Sequence, residues 1–225
     1  MGKIFIDCGG HDGCSIIQFL SRRPGYRAIT FEPNPALSGY YRYLPTELVR
    51  KAVSTYDGHV AFTVDPIDGD GSSICAGKGV VFDSSLANEQ CPTVEVECVD
   101  LGAFLARNVR AGDYVCLKLD VGGAEYDILQ KMIQDGTIDL VDELLVEFHW
   151  FKCGVPKEVH DRLAAELQKH TTVSHRDAGS NAVHMRGAKA KLRRVAMLAV
   201  LWPRHLLASL FDRERPALSF GRAAG

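Results

Sequence analysis

Apolar and polar positions along the chain follow two periods, and each change of period marks an element. Lys3-Ile-Phe-Ile-Asp7 is a short apolar run closed by an acid and a glycine loop, and Ser15 to Leu20 then follows helical spacing. Arg27 to Phe31 reads as a second strand, closed by Glu32-Pro33-Asn34-Pro35, and residues 36–44 can form the next helix. Leu48 to Ser54 and His59 to Val64 read as two strands about a Tyr56-Asp57-Gly58 turn. Val94 to Val99 alternates as a strand and Leu101 to Asn108 is a short helix. Tyr114 to Asp120 is the most continuous apolar strand, the pattern of a sheet buried on both faces. Ala124 to Gln134 is a helix with its stop at Gly136, and Leu140 to Trp150 contains a strand. Lys157 to His170 is a further helix, after which Thr172 to His175 and Ala182 to Met185 are expected as a closing pair.

Strands alternating with helices predict an α/β fold: a doubly wound, mostly parallel, Rossmann-like sheet with helices on both faces. Residues 65–93, rich in Gly, Ser and Asp, lack periodicity, and so long a loop suits a lid or a binding loop. The 225 residues suffice for one sizeable domain with a short appendage, and the apolar content of 46% excludes a disordered chain. The net charge of −2 conceals a division. From Gly187 onward eight Lys/Arg face two Asp/Glu, so that the end of the chain carries about +6 and residues 1–186 about −8. The expected organisation is therefore a domain over 1–186 and a basic, apolar extension over 187–225. Within the extension, Lys189-Ala-Lys-Leu-Arg-Arg194 precedes the apolar stretch Val195 to Trp202 and runs on to Phe211. Residues 189–211 suit a peripheral membrane surface, or a helix docked on the domain or on a second copy of the chain. No interleaved aromatics accompany the basic cluster, so no nucleic-acid partner is expected. The longest apolar run is too short to span a bilayer, Met1 leads straight into a strand with no leader pattern, and the seven cysteines form no C-x-x-C pair. Reduced thiols and a cytoplasmic protein, peripheral on the inner membrane surface if the extension binds lipid, are the expectation.

The densest chemical signal is Asp7-Cys-Gly9-Gly10-His-Asp-Gly13 between a strand and a helix, with Glu32 ending the next strand 19 residues after Gly13. Glycines there admit close backbone approach to a ligand, and a carboxylate at the end of the second strand can accept both hydroxyls of a ribose. The spacing D-x-G-x-x-x-G differs from the dinucleotide pattern and points to S-adenosylmethionine. The chain also resembles the FkbM family of S-adenosylmethionine-dependent methyltransferases. The matching pieces are Ile6 to Gly13, Phe31-Glu-Pro-Asn-Pro35, Lys51-Ala-Val-Ser54, Gly71-Ser-Ser73, Val99-Asp-Leu101, Leu117 to Glu125 and Leu145-Val-Glu-Phe-His149, in family order over residues 3–150. Gly122 stands where the family usually has Glu.

The resemblance implies a class I methyltransferase fold and methyl transfer to a hydroxyl of a sugar, glycan, glycolipid or other natural product. It places Glu32 on the ribose diol, and Asp7, Gly9, Gly10 and Gly13 with their amides near the methionine end of the cofactor. Ala52 falls near the adenine, Asp100 faces the same pocket, and the Ser72-Ser73 loop closes over it, with Ser73 among the cofactor residues. Proton acceptors are sought at the carboxyl ends of parallel strands, where Asp120 and His149 fall. Glu147, two residues from His149, is expected to orient its ring, while Asp120 can instead form an ion pair with Lys118. Glu125 opens a helix, where the dipole favours a carboxylate with or without a function. Asp120, Glu147 and His149 are all capable metal ligands, yet carboxylates at a strand edge do not themselves require an ion, and no metal is expected. Two rivals remain: a non-catalytic cofactor-binding or assembly module, with Gly122 marking lost chemistry, and an NAD-dependent enzyme on a similar sheet.

Overall fold

The computed structural model describes residues 1–65, 71–75 and 91–175, together with positions 195, 196, 198, 199, 203, 218 and 220. Six parallel strands form the main sheet: β1 (Lys3–Cys8), β2 (Arg27–Phe31), β3 (Glu47–Val49), β7 (Tyr114–Leu119), β8 (Glu143–Val146) and β9 (Thr172–His175). Their order is β3-β2-β1-β7-β8-β9. The chain thus builds outward from β1 in one direction, then returns to β7 and builds in the other. The crevice between β1 and β7 is the point where such sheets receive ligands. Strands β4 (Ala52–Ser54), β5 (Gly58–Thr63) and β6 (Thr93–Asp100) form a second, three-stranded sheet in the order β4-β6-β5.

Alternation along the strands supplies both faces. Ile4 and Ile6 of β1 enter one apolar cluster with Leu117 and Leu119 of β7, joined by Phe104 of helix α2 (Leu101–Asn108) and Leu129 of helix α3 (Glu125–Gln134). Phe5 and Cys116 point the other way and pack with Ile16, Ile17 and Leu20 of helix α1 (Cys14–Arg22). A fourth helix, α4 (Lys157–Leu167), buries Leu167 in the first cluster. Helices therefore cover both faces of the parallel sheet, the doubly wound architecture expected from the sequence.

Two expectations change in detail. The run 48–54 is not one strand: Leu48 and Val49 pair with Thr30 and Phe31 of β2, whereas Ala52 to Ser54 cross to the second sheet and pair with β6. The segment after Pro35 is a 3-10 helix, Pro35–Tyr41, capped by the Asn34 side chain on the Ala36 amide. Thr172–His175 joins the main sheet as its parallel edge beside β8. Its expected partner, Ala182 to Met185, lies outside the described residues, as does almost all of 189–211. All seven cysteines are free thiols.

Candidate active site

The loop from β1 to α1 is shaped by close backbone approach. Gly9 has φ 80°, and a Cβ built there would lie 1.8 Å from the Asp120 carbonyl oxygen. Only glycine lets β1 and β7 end side by side at this point. A Cβ at Gly10 would meet Thr30 Cγ2 at 2.2 Å. The amides of Gly9 and Gly10 both donate to the Phe31 carbonyl at 3.1 Å, which ties the loop to the end of β2. Gly13, at φ 76°, precedes α1 in the left-handed region.

Glu32, one residue beyond β2, is buried at the head of this loop. Its Oε2 accepts from the His11 amide and its Oε1 from the Asn34 amide, each at 2.8 Å. Burial pushes its pKa up to about 7, against the lowering effect of those two donors. Glu32 lines an open cleft together with Gly9, Ala52, Ser72 and Asp120. Phe31, Val53 and Phe62 give the cleft an apolar wall.

At the end of β7 lies a connected set of charged groups. Asp7 is fully buried; its Oδ2 accepts from Ser15 Oγ, and its Oδ1 has no hydrogen-bond donor, with Lys118 Nζ 3.1 Å away. Lys118 donates to the Gly9 carbonyl at 2.7 Å and lies 3.5 Å from Asp120 Oδ2. Asp120 Oδ1 in turn faces His149 Nε2 at 3.9 Å. The other ring nitrogen, Nδ1, is 2.9 Å from Glu125 Oε1. Glu125 is completely buried and also accepts from the Val121 amide on Oε1 and the Gly123 amide on Oε2.

A family model for the methyltransferase FkbM domain matches residues 7–174, which span this whole arrangement. The chain belongs to the FkbM methyltransferase family. No curated protein and no solved structure matches it.

Within this FkbM methyltransferase fold, Gly9, Glu32, Ala52 and Asp120 line one cleft, and Asp7, Gly10 and Gly13 build the loop beneath it. Four placements differ from the sequence reading. The Gly9 and Gly10 amides, expected to face a ligand, are occupied by Phe31. Asp100 does not line the cleft: it caps α2 through the Ala103 amide and pairs with Lys131 at 3.1 Å. Ser73 lies behind the cleft wall, donating to the Gly122 carbonyl at 2.7 Å, while its neighbour Ser72 lines the cleft. His149 is oriented by Glu125 and not by Glu147, because both Glu147 and His149 lie beyond the end of β8, where strand alternation no longer fixes their side chains. Glu147 instead approaches the opposite nitrogen, with Oε1 3.6 Å from Nε2.

Two contributors were not legible beforehand. The His11 amide holds Glu32, and His11 itself lines the cleft at φ 49°. A non-glycine residue in that region is a local hint of function only once the structure is known. The anchoring role of Glu125 depends on a partner 24 residues away. In the sequence Glu125 closes the matching piece Leu117 to Glu125 and opens a helix, where the dipole favours a carboxylate whether or not it has such a partner. No helix among the described residues is long and apolar enough to cross a membrane.

Proposed function

We propose that this chain transfers a methyl group from S-adenosylmethionine to a hydroxyl of a sugar, glycan, glycolipid or other natural product. The observation that carries the donor assignment is Glu32: a buried carboxylate at the end of β2, beside the β1–β7 crevice and open to the cleft. Each of its oxygens accepts one backbone amide, and carboxylate oxygens have further lone pairs available for a vicinal diol. The apolar wall beside Ala52 suits the base of such a donor. The donor supplies an electrophilic methyl group on a sulfonium that leaves as a neutral thioether. The protein aligns the acceptor oxygen for in-line attack and receives its proton at the Asp120–His149 corner of the cleft.

Calorimetry with S-adenosylmethionine tests the donor site, using the intact chain and Glu32→Ala. Micromolar binding that weakens at least tenfold in the variant is the expected result. No binding by the intact chain, or binding of a nicotinamide dinucleotide in its place, overturns the proposal. Gly122 favours one second reading, a binding or assembly module without turnover. It adopts φ 69° and offers only its backbone, the carbonyl held by Ser73, where the family's carboxylate would stand. Donor binding with no methyl transfer to any hydroxylated acceptor, and none regained with Gly122→Glu, is the outcome that supports it.

A further inference from the structure

We infer that Cys75 and Cys153 form a reversible disulfide, which fastens one wall of the cleft to the turn that carries His149. The two cysteines are distant in the chain and meet over Gly123. A Cβ built on Gly123 would lie 2.2 Å from Cys153 Sγ and 3.2 Å from both Cβ and Sγ of Cys75. These lengths start from one point, so the two sulfurs are separated by no more than the sum of the shorter and the longer. A rotamer change at one or both side chains closes a gap of that size to a sulfur–sulfur bond. Gly123, at φ 115°, leaves the space between them empty, and any side chain there would collide with Cys153 Sγ.

The backbone around the pair holds both cysteines in place. Ser73 Oγ donates to the Gly122 carbonyl at 2.7 Å and accepts from the Cys75 amide at 2.9 Å. The same carbonyl lies 3.8 Å from Cys153 Sγ. The Cys153 amide donates to the His149 carbonyl at 3.1 Å, so Cys153 closes the turn that begins at His149. On the other side, Ser72 and Ile74 flank Ser73 and line the cleft. A bond between the sulfurs therefore joins that wall to the His149 turn. Access separates these thiols from most of the others: Cys8, Cys14, Cys98 and Cys116 are buried, whereas Cys75, Cys91 and Cys153 are only partly covered. The oxidant is a low-molecular-weight disulfide. One cysteine thiolate attacks it, breaking its sulfur–sulfur bond and releasing one thiol. The second thiolate attacks the resulting mixed disulfide, forming the Cys75–Cys153 bond and releasing the other thiol. The two protons lost by the cysteines end on the two released thiols, and the pair's two electrons reduce the oxidant. An added dithiol reverses both steps.

The test uses glutathione disulfide as the oxidant, on the full chain under native conditions, with no donor or acceptor present. The expected result is a peptide map, taken without reduction, that joins Cys75 to Cys153, and loss of that linkage with dithiothreitol. Cys91→Ser leaves the bond unaltered, whereas Cys75→Ser and Cys153→Ser each abolish it and leave a glutathione adduct on the remaining partner. Amide hydrogen exchange over residues 71–75 slows by about threefold or more in the oxidised chain and not in oxidised Cys153→Ser, which reads the fastening itself. Circular dichroism before and after oxidation confirms that the bond forms in the folded chain. Adducts without a Cys75–Cys153 bond, a bond made by Cys91 in its place, or no reaction overturns the proposal, whatever the donor titration gives. Unchanged exchange at 71–75 in the bonded chain overturns the fastening.

Discussion

Glu32 combines two demands that conflict within one side chain. In the free protein, burial favours the protonated form, and its pKa stands near 7 against an ordinary value of 4.5. Between those values the folded chain keeps a proton that the unfolded chain has released. Its contribution to stability therefore declines as pH rises through this window, by about 3 kcal/mol in all. Holding a ribose diol asks for the opposite state, the ionised acceptor. Affinity for S-adenosylmethionine is thus expected to strengthen by about tenfold from pH 6 to pH 8, following the ionised fraction of a group titrating at 7. Calorimetry at the two pH values checks this, and a flat affinity would place the diol on another group. At this scale the sequence was informative where chain order alone fixes a position. Glu32 ends the second strand whatever happens elsewhere. It was uninformative for Asp100 and Glu125, whose neighbours Lys131 and His149 come from other elements.

At the scale of elements, the cleft exists because β1 and β7 finish together, and that depends on Gly9. A methyl group there would overlap the Asp120 carbonyl at 1.8 Å, and the φ of 80° would strain any side chain. Backbone atoms cannot rotate aside as a side chain can, so the strand ends must separate. Gly9→Ala is expected to destabilise the fold by about 3 kcal/mol or more and to displace Asp120 from the cleft. A denaturant titration measures the first effect and donor calorimetry the second; a variant as stable as the parent would mean that the loop yields easily. The same closeness explains what periodicity predicts well and badly. β1 and β7 are buried on both faces, so their continuous apolar runs were unmistakable. The run 48–54 was read as one strand because each half has a strand's pattern. Only hydrogen-bond partners separate them, β2 for Leu48 and β6 for Val53, and no local pattern encodes which sheet a strand will join.

For the molecule as a whole, the open question is what the basic extension does, and its few described residues bear on it. Leu198 packs against the Phe5 cluster and Leu218 against the Ile4 cluster. The Phe220 ring lies 5.7 Å from that of Phe104, with Lys51 Nζ 5.1 Å from its centre. Lys51 lines the cleft, so Phe220 stands at its margin. These contacts place Leu218 and Phe220 against the domain itself, where an apolar side chain covered by protein is unavailable to lipid. Both are only partly covered, Phe220 remaining 38% exposed, so the expected loss on Leu218→Ala with Phe220→Ala is modest, about 1–3 kcal/mol. For a domain of this size that corresponds to a fall in Tm of several degrees without any lipid present. A thermal scan of the double variant, paired with sedimentation on anionic vesicles, separates the alternatives. A lowered Tm with no vesicle binding by the parent assigns the extension to the domain. An unchanged Tm, with vesicle binding that salt and the double substitution both weaken, assigns it to the membrane surface, because screening acts on the basic residues and truncation on the apolar ones.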